Sequence, residues 1–297
     1  MTVLVTGGSG FLGKRLEKLQ PKWIFLSSQD YNLADKQQCH EMINDIKPST
    51  VVHLAAKVGG IQISQAKQAE FFYLNTQMNT NLVHQCALGG VKRLLAALST
   101  CAYPAAPAAY PFTEKDFYSG PPPNDHFAYA MSKRHLHTQC NMYREQYGLN
   151  YSTFCPSNIY GPQDHFGNQR SHFVASLIKK VAAAQNGSIL EFFGDGKALR
   201  QQLYIDDLAA IIPVLLDKHN TDIPLIVAPT ENLSINKMIE MLLSQVDKEL
   251  EIVFNGRMCG QLRKDGSNQE LLATIGDFEF TSFTDGVRDT YKWYVAQ

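Results

Sequence analysis

The 297-residue chain lacks several features that would announce a function class. No uninterrupted apolar run approaches the roughly 20 residues of a membrane-spanning helix, so no membrane partner is expected. Neither sign of charge is in excess: 27 basic and 28 acidic residues leave a formal net charge of -1. That balance argues against a nucleic acid or an anionic membrane as partner. Close cysteine pairs are missing too. Cys39, Cys86, Cys101, Cys140, Cys155 and Cys259 are scattered, so neither a metal knuckle nor a dithiol motif is expected, and a reducing compartment suits them. Met1 to Thr6 lead into a glycine-rich turn without the pattern of a signal sequence, and a cytoplasmic location is expected. Repeats and low-complexity tracts are absent as well.

What is present is alternation. Short apolar runs at Val3–Val5, Trp23–Leu26, Val51–Leu54, Leu94–Leu98 and Tyr151–Cys155 are separated by helical patterns at Lys14–Leu19, Lys36–Ile46, Ala66–Leu88 and Tyr129–Tyr147. This order predicts an α/β protein of the Rossmann type, a doubly wound parallel sheet, followed by a smaller C-terminal substrate-binding domain. The expected division is 1–160 for the nucleotide-binding part and 161–297 for the substrate part, with 203–228 able to return to the first. The proline-rich stretch Tyr103–Pro123 reads as a long loop over the site. The two longest helices are expected to pack together, and they either cover the sheet or join two copies in a homodimer.

Val3-Leu4-Val5-Thr6-Gly7-Gly8-Ser9-Gly10-Phe11-Leu12-Gly13 spells strand, tight turn and helix start. Glycines at 7, 10 and 13 permit close approach of backbone to a pyrophosphate, and the helix N-terminus offers unpaired amides to the anion. Gly7, Ser9, Gly10, Phe11, Leu12 and Gly13 are therefore candidate dinucleotide contacts. After the second strand stand Ser27, Ser28, Gln29 and Asp30, with Lys14 and Arg15 near in sequence. Serines and cations favour NADPH/NADP+ as cofactor, whereas a dominant Asp30 favours NAD.

Tyr129 and Lys133 stand four residues apart, on one face of a helix. Reduction of a ketone needs a proton for its oxygen, and a phenol with an ordinary pKa of about 10 needs a nearby cation to give one readily. With Ser99 at a strand end, the pair resembles the catalytic trio of the extended short-chain dehydrogenase/reductase superfamily.

Five further stretches narrow the resemblance: Leu54-Ala55-Ala56-Lys57-Val58-Gly59-Gly60-Ile61, Ser99-Thr100-Cys101-Ala102-Tyr103-Pro104, Pro156 to Phe166, Ser171-His172-Phe173-Val174, and Phe193-Gly194-Asp195-Gly196 with Arg200 ahead of Tyr204-Ile205-Asp206-Asp207-Leu208. Together they resemble the GDP-L-fucose synthases, from the N-terminus to about residue 210. The resemblance implies a GDP-sugar substrate and two chemistries at one ketone, 3,5-epimerisation and then 4-reduction. It makes Cys101 and His172 the acid/base pair of the epimerisation, and Ser99, Tyr129 and Lys133 the reductive set. It also places Leu54, Ala55 and Ala56 at the cofactor, and Asn158, Lys180, Phe193 and Arg200 at the substrate.

A cysteine at a strand end is ordinarily packing. Two residues after Ser99 in an extended segment, however, Cys101 shares its side of the chain. His165 reads as a rim residue and His53 as a satisfied structural histidine. After Lys264-Asp265-Gly266 the family carries basic residues, whereas this chain has Gln269 and Glu270, which is expected to weaken the hold on a diphosphate. Two other readings remain open. One is a sugar-nucleotide 4-epimerase or 4-ketoreductase that needs Tyr129 but not Cys101 or His172. The other is a non-catalytic NADP-binding regulator.

Overall fold

The structure, a computed structural model, describes residues 2–167, 171–257 and 260–297, so Cys259 lies outside the described residues. A strand covered on both faces is apolar along its length rather than at alternate positions. The N-terminal runs have that character and form β1 (Val3–Thr6), β2 (Ile24–Leu26), β3 (Thr50–His53), β4 (Arg93–Ala97) and β5 (Asn150–Pro156). Between them lie α1 (Phe11–Leu19), α2 (Lys36–Ile46), α3 (Ile61–Ala66), α4 (Gln68–Leu88) and α5 (Phe127–Tyr147). The single helix expected over Ala66–Leu88 is thus divided. Lys67, at φ -127° and ψ 36°, leaves the helical region and separates α3 from α4.

The second half is more broken: β6 (Asn158–Tyr160), α6 (Phe173–Ala183), β7 (Ile189–Phe192), β8 (Leu199–Arg200), β9 (Gln202–Tyr204), α7 (Ile205–Lys218) and β10 (Pro224–Val227). Then come β11 (Leu233–Ser234), α8 (Ile235–Leu243), β12 (Glu251–Phe254), β13 (Arg263–Lys264), α9 (Gln269–Ile275) and α10 (Phe283–Val295). The main sheet has the order β10-β5-β4-β3-β1-β2, and every pairing in it is parallel. Residues 224–227 therefore join the sheet of the first half beside β5. Among the described residues no helix is long and apolar enough to cross a membrane.

Three apolar clusters hold the layers. One joins the α2, α4 and α5 side of the sheet, including Met42, Leu82, Cys86 and Leu136. A second joins α1, α7 and α9 on the other side, including Leu16, Leu208, Ile212 and Leu271. The third belongs to the second half, around Tyr160, Leu177, Phe192, Ile239 and Phe283. The long helices α4 and α5 pack directly on each other. Arg93 opens β4 as a buried cation and donates to the carbonyls of Leu215, Leu216 and His219 at the end of α7, where helix carbonyls lack partners of their own.

The stretch 103–123 is less free than its prolines suggest. Tyr103, Phe112 and Phe117 are buried, with Tyr103 and Phe112 stacked at 4.2 Å, and Glu114 accepts the Ile226 backbone N–H at 3.0 Å. Aromatic burial outweighs the loop entropy here. The stretch also clamps the C-terminal third: the Tyr110 hydroxyl donates to the Arg263 carbonyl at 2.9 Å, Phe112 N–H donates to Asp265 at 3.0 Å, and Ser267 N–H to Phe112 at 2.7 Å. Replacing Phe112 with alanine removes a ring from both the core and this clamp. The expected cost is about 3–5 kcal/mol of unfolding free energy, read from urea midpoints. A loss below about 1 kcal/mol would show that the clamp stands without the ring.

Candidate active site

The carboxyl ends of β1, β3, β4 and β5 open on one side of the sheet, and the loops that leave them carry the candidate residues. At the first, Gly7 takes φ 75° and lies against the chain leaving β3, where an added Cβ would stand 2.8 Å from Ala55 N. A Cβ on Gly13 would collide with the Gly7 carbonyl oxygen, so the turn and α1 are packed backbone to backbone. Gly10 is the N-cap of α1, with no side chain to occupy the first amides and no acidic residue in the first turn. This cradle fits an anion such as a dinucleotide pyrophosphate, bounded by Gly7 to Gly13 on one side and Leu54, Ala55 and Ala56 on the other.

The ribose end corrects part of the sequence reading. Arg15 does not reach toward Ser27 and Ser28. Its guanidinium pairs with both oxygens of Asp206 on α7, a bond between helices on the same side of the sheet. Ser27 N–H and Oγ donate to Asp30 at 2.7 and 2.8 Å, and these bonds hold the Asp30 carboxyl below its ordinary range. Lys14 and Ser28 stay exposed at this edge.

In the first turn of α5 the Tyr129 ring lies 5.7 Å from Lys133 Nζ, which donates to the Ala97 carbonyl, the last of β4, at 2.7 Å. Burial pulls Lys133 down to about 8. Burial also raises the Tyr129 phenol, with nearby Cys101 and Cys155 adding to the effect. Lys133 was expected to lower this pKa; desolvation dominates instead, and the phenol keeps its proton. Ser99 stands just beyond β4 as the N-cap of a short 3-10 turn over Thr100–Ala102, accepting the Cys101 N–H at 3.2 Å. Ser99 and Cys101 are therefore related by a turn, not by the alternation of an extended strand.

Cys101 is half-buried, the only one of the five described cysteines, all free, that is not fully buried. Burial pushes its thiol up, but Lys264, His126 and the bond with Ser99 together bring it down to about 7. Lys264 Nζ stands 3.1 Å from Cys101 Sγ. His126 pairs with Asp125 at 3.0 Å; burial lowers the imidazole, and Asp125 and Cys101 more than restore it, so it sits above its ordinary value. His172 is the N-cap of α6 and is open to solvent. Burial holds its imidazole below the ordinary value, and Lys264, His126 and His165 add to that. The same two cations thus reach both Cys101 and His172. His165 itself is exposed. Lys264 was read only as the residue before the Asp265-Gly266 turn, with no role at Cys101, and no motif of the sequence pointed to His126.

On the substrate side, Asn158 is half-buried on β6 and Phe193 is 59% exposed. Arg200, on β8, donates to the Leu199 and Gln261 carbonyls. Lys180 donates to the Glu191 carbonyl at 2.8 Å and lies over the Phe192 ring, so it is engaged with β7. The carboxylates of the 204–208 stretch are structural: Asp206 holds Arg15, and Asp207 accepts from Thr281 N–H and Oγ1. Gln269 and Glu270 begin α9, which packs on α7 and β10, whereas β13 brings Arg263 and Lys264 alongside Leu199 and Arg200. Among the described residues no group of acidic, histidine or cysteine side chains is arranged to hold a metal ion.

Known proteins resemble the chain along its length. It matches the model of the NAD dependent epimerase/dehydratase family over residues 3–227. It is 32% identical over 305 residues to GDP-L-fucose synthase of Dictyostelium discoideum, with 99% of this chain and 95% of that one covered. GDP-L-fucose synthase of Escherichia coli is 28% identical over 309 residues, with 99% and 96% covered. A crystal structure of a GDP-L-fucose synthetase from Naegleria fowleri bound to NADP has a TM-score of 0.91 at 32% identity, covering 99% of this chain and 92% of that chain.

Beneath the cleft runs a buried polar chain. His53 at the end of β3 bonds Thr6 Oγ1 at 2.8 Å through Nδ1 and Asn79 Oδ1 at 3.0 Å through Nε2, and Asn79 donates to the Ser132 carbonyl at 3.2 Å. It ties the glycine turn to the helix of Lys133. Burial, with Lys133 adding, lowers His53 to about 4. A depressed histidine contributes stability that is present above its unfolded value, about 6.5, and is lost as pH falls toward its folded value. Between pH 7 and 4.5 the native protein should therefore lose about 2–3 kcal/mol more than His53→Gln, measured by urea unfolding at each pH. Superimposable pH profiles would contradict this.

Proposed function

The chain belongs to the GDP-L-fucose synthases within the NAD dependent epimerase/dehydratase family, and we propose that it converts GDP-4-keto-6-deoxy-D-mannose to GDP-L-fucose, by 3,5-epimerisation and then NADPH-dependent 4-reduction. One observation carries the reading: the Ser99, Tyr129 and Lys133 set shares its cleft with a half-exposed cysteine whose thiol is held near neutrality. A simple ketoreductase requires the first and has no use for the second.

The 4-keto group acidifies the hydrogens on both flanking carbons. Cys101, near half-ionised at neutral pH, takes a proton as thiolate or returns one as thiol, and His172 serves the opposite face. The proton taken by one is replaced by the other, and inversion results. In the reduction Ser99 holds the ketone oxygen and Tyr129, kept protonated by burial, gives it a proton. Lys133, charged below about 8, stabilises the phenolate left behind. NADPH, when bound, supplies the hydride. Gly7, Ser9, Gly10, Phe11, Leu12 and Gly13, with Ser28, Lys14, Leu54, Ala55 and Ala56, would hold it, while Ser27 contributes through the turn it forms with Asp30.

The division of labour follows the sheet. Residues 1–160, with 203–228, serve the cofactor, and the remainder, through Phe193 and Arg200, serves the GDP-sugar, which Asn158 at the boundary also meets. Helices α4 and α5 leave Phe72, Tyr73, Met142 and Tyr147 exposed, which supports a homodimer formed through them. The free described cysteines fit a cytoplasmic location.

Incubation with GDP-4-keto-6-deoxy-D-mannose and NADPH, followed by product NMR, should give the L-fuco configuration. A reduced sugar with C3 and C5 unchanged would favour a 4-ketoreductase instead. Tyr129→Phe should lower reduction by at least about a hundredfold while NADPH titration is unaltered, because only the proton donor is removed. Reduction by the native enzyme should fall above about pH 8 as Lys133 loses its charge. Near-normal reduction by Tyr129→Phe would mean that another group donates the proton. Fluorescence titration should also show tighter binding of NADPH than of NADH, and the reverse order would make Asp30 the governing residue.

A further inference from the structure

The sequence reading gave Lys264 no role of its own, yet four independent constraints fix its backbone. β13 pairs with β8, setting Lys264 opposite Arg200. The Tyr110 hydroxyl holds the carbonyl before it, and Phe112 N–H holds the Asp265 carbonyl after it. The Gln201 amide grips Gly266 at both ends, accepting its N–H at 2.9 Å and donating to its carbonyl at 3.0 Å. Gly266 has no room for a side chain, because Phe112 and Ile226 fill the space a Cβ would need. The two cations of β13 are then treated differently: Arg263 is ion-paired to Asp265 at 2.6 Å over the Tyr110 ring, and Lys264 is turned onto the Cys101 sulfur at 3.1 Å. A lysine held this way gives up side-chain entropy, and a neutral thiol offers little in return.

We infer that Lys264 is the positioning residue of the epimerisation: its ammonium holds Cys101 as the thiolate and so makes Cys101 the proton-abstracting partner of His172. The inference rests on the acid/base role given to Cys101 above. In the step, the C–H bond next to the ketone breaks, the S–H bond forms, and the electron pair moves to the ketone oxygen. The imidazolium of His172 then yields its proton to the same carbon from the other face, and the carbonyl is restored.

That step needs thiolate facing imidazolium, and this arrangement becomes tenfold rarer for each unit by which the sulfur's pKa exceeds the imidazole's. Lys264 lowers both, but it touches the sulfur and reaches the imidazole only through space, so it narrows the gap. The other groups around the sulfur do not replace it. The His126 charge is shared with Asp125, Tyr129 is a neutral phenol, and the Ser99 hydroxyl, which also helps lower the thiol, carries no charge.

The test uses the full-length protein with Lys264→Met and Lys264→Arg. First, alkylation of Cys101 by iodoacetamide is followed against pH without any sugar present, with Cys101→Ser subtracting the other thiols. The native rate should rise with a midpoint near pH 7. Lys264→Met should move the midpoint up by at least about one unit and slow the reaction at pH 7 about fivefold or more, and Lys264→Arg should restore it. Second, with GDP-4-keto-6-deoxy-D-mannose, Lys264→Met should slow exchange of the C3 and C5 hydrogens about tenfold, with the loss in kcat rather than KM. An unshifted alkylation profile in Lys264→Met, whatever its activity, overturns the inference. A shifted profile with undiminished exchange overturns the proton-abstracting role. Absence of exchange in the native enzyme, with the profile shift intact, overturns the functional reading while leaving the lysine–thiolate pair standing.

Discussion

The structure depends on a short backbone clamp: residues 110–112 of the long loop after β4 bonded to residues 263–267 near the other end of the chain. A parallel sheet leaves its carboxyl edge open, and everything reactive here lies along that edge. The first half of the chain supplies the edge, with Ser99, Cys101, Tyr129 and Lys133, but nothing to close it. The clamp carries β13 across the opening and sets its cations beside β8 and above the 3-10 turn. Its bonds are buried behind Tyr103 and Phe112, where an unpaired backbone group would cost about 1–3 kcal/mol. The closure is therefore specified rather than incidental, and the cleft acquires its second wall from it.

Within the cleft, burial and charge act in opposite senses on neighbouring groups. Around Tyr129 and Lys133 burial dominates, keeping the phenol protonated and bringing the ammonium down to about 8. That suits delivery of a proton to an oxygen. At Cys101 burial alone would give an inert thiol, as it does at Cys39, Cys86, Cys140 and Cys155. Lys264 and His126 reverse the outcome at that one sulfur. A cleft that both exchanges carbon-bound protons and reduces a ketone needs both conditions within reach of one carbonyl.

What the sequence disclosed is what local physics encodes. The glycine turn, the alternation of strands and helices and the Tyr129–Lys133 spacing depend on residues a few positions apart, and each is found where the pattern put it. The return of residues 224–227 to the sheet was legible as an apolar run after a helix. The misreadings involve long separations. Arg15 looked available for a ribose phosphate because its partner, Asp206, lies 191 residues away. Lys264 meets Cys101 across 163 residues, through pairings that no periodicity announces. The cation that meets Cys101 stands before Gly266, not after it, and Gln269 and Glu270 begin a helix packed on α7 and β10. The Ser99–Cys101 relation was right in proximity and wrong in geometry, because Ser99 caps a turn where an extended chain was assumed.

The central claim is that one cleft inverts two carbons and reduces the ketone between them. Turnover of GDP-4-keto-6-deoxy-D-mannose with NADPH in deuterated water tests it most directly, since every proton returned to carbon by Cys101 or His172 comes from exchangeable positions. The account predicts solvent deuterium at both C3 and C5 of the product and none at C4, whose hydrogen arrives from the cofactor. Product lacking deuterium at both flanking carbons would contradict it and leave a ketoreductase with an idle cysteine.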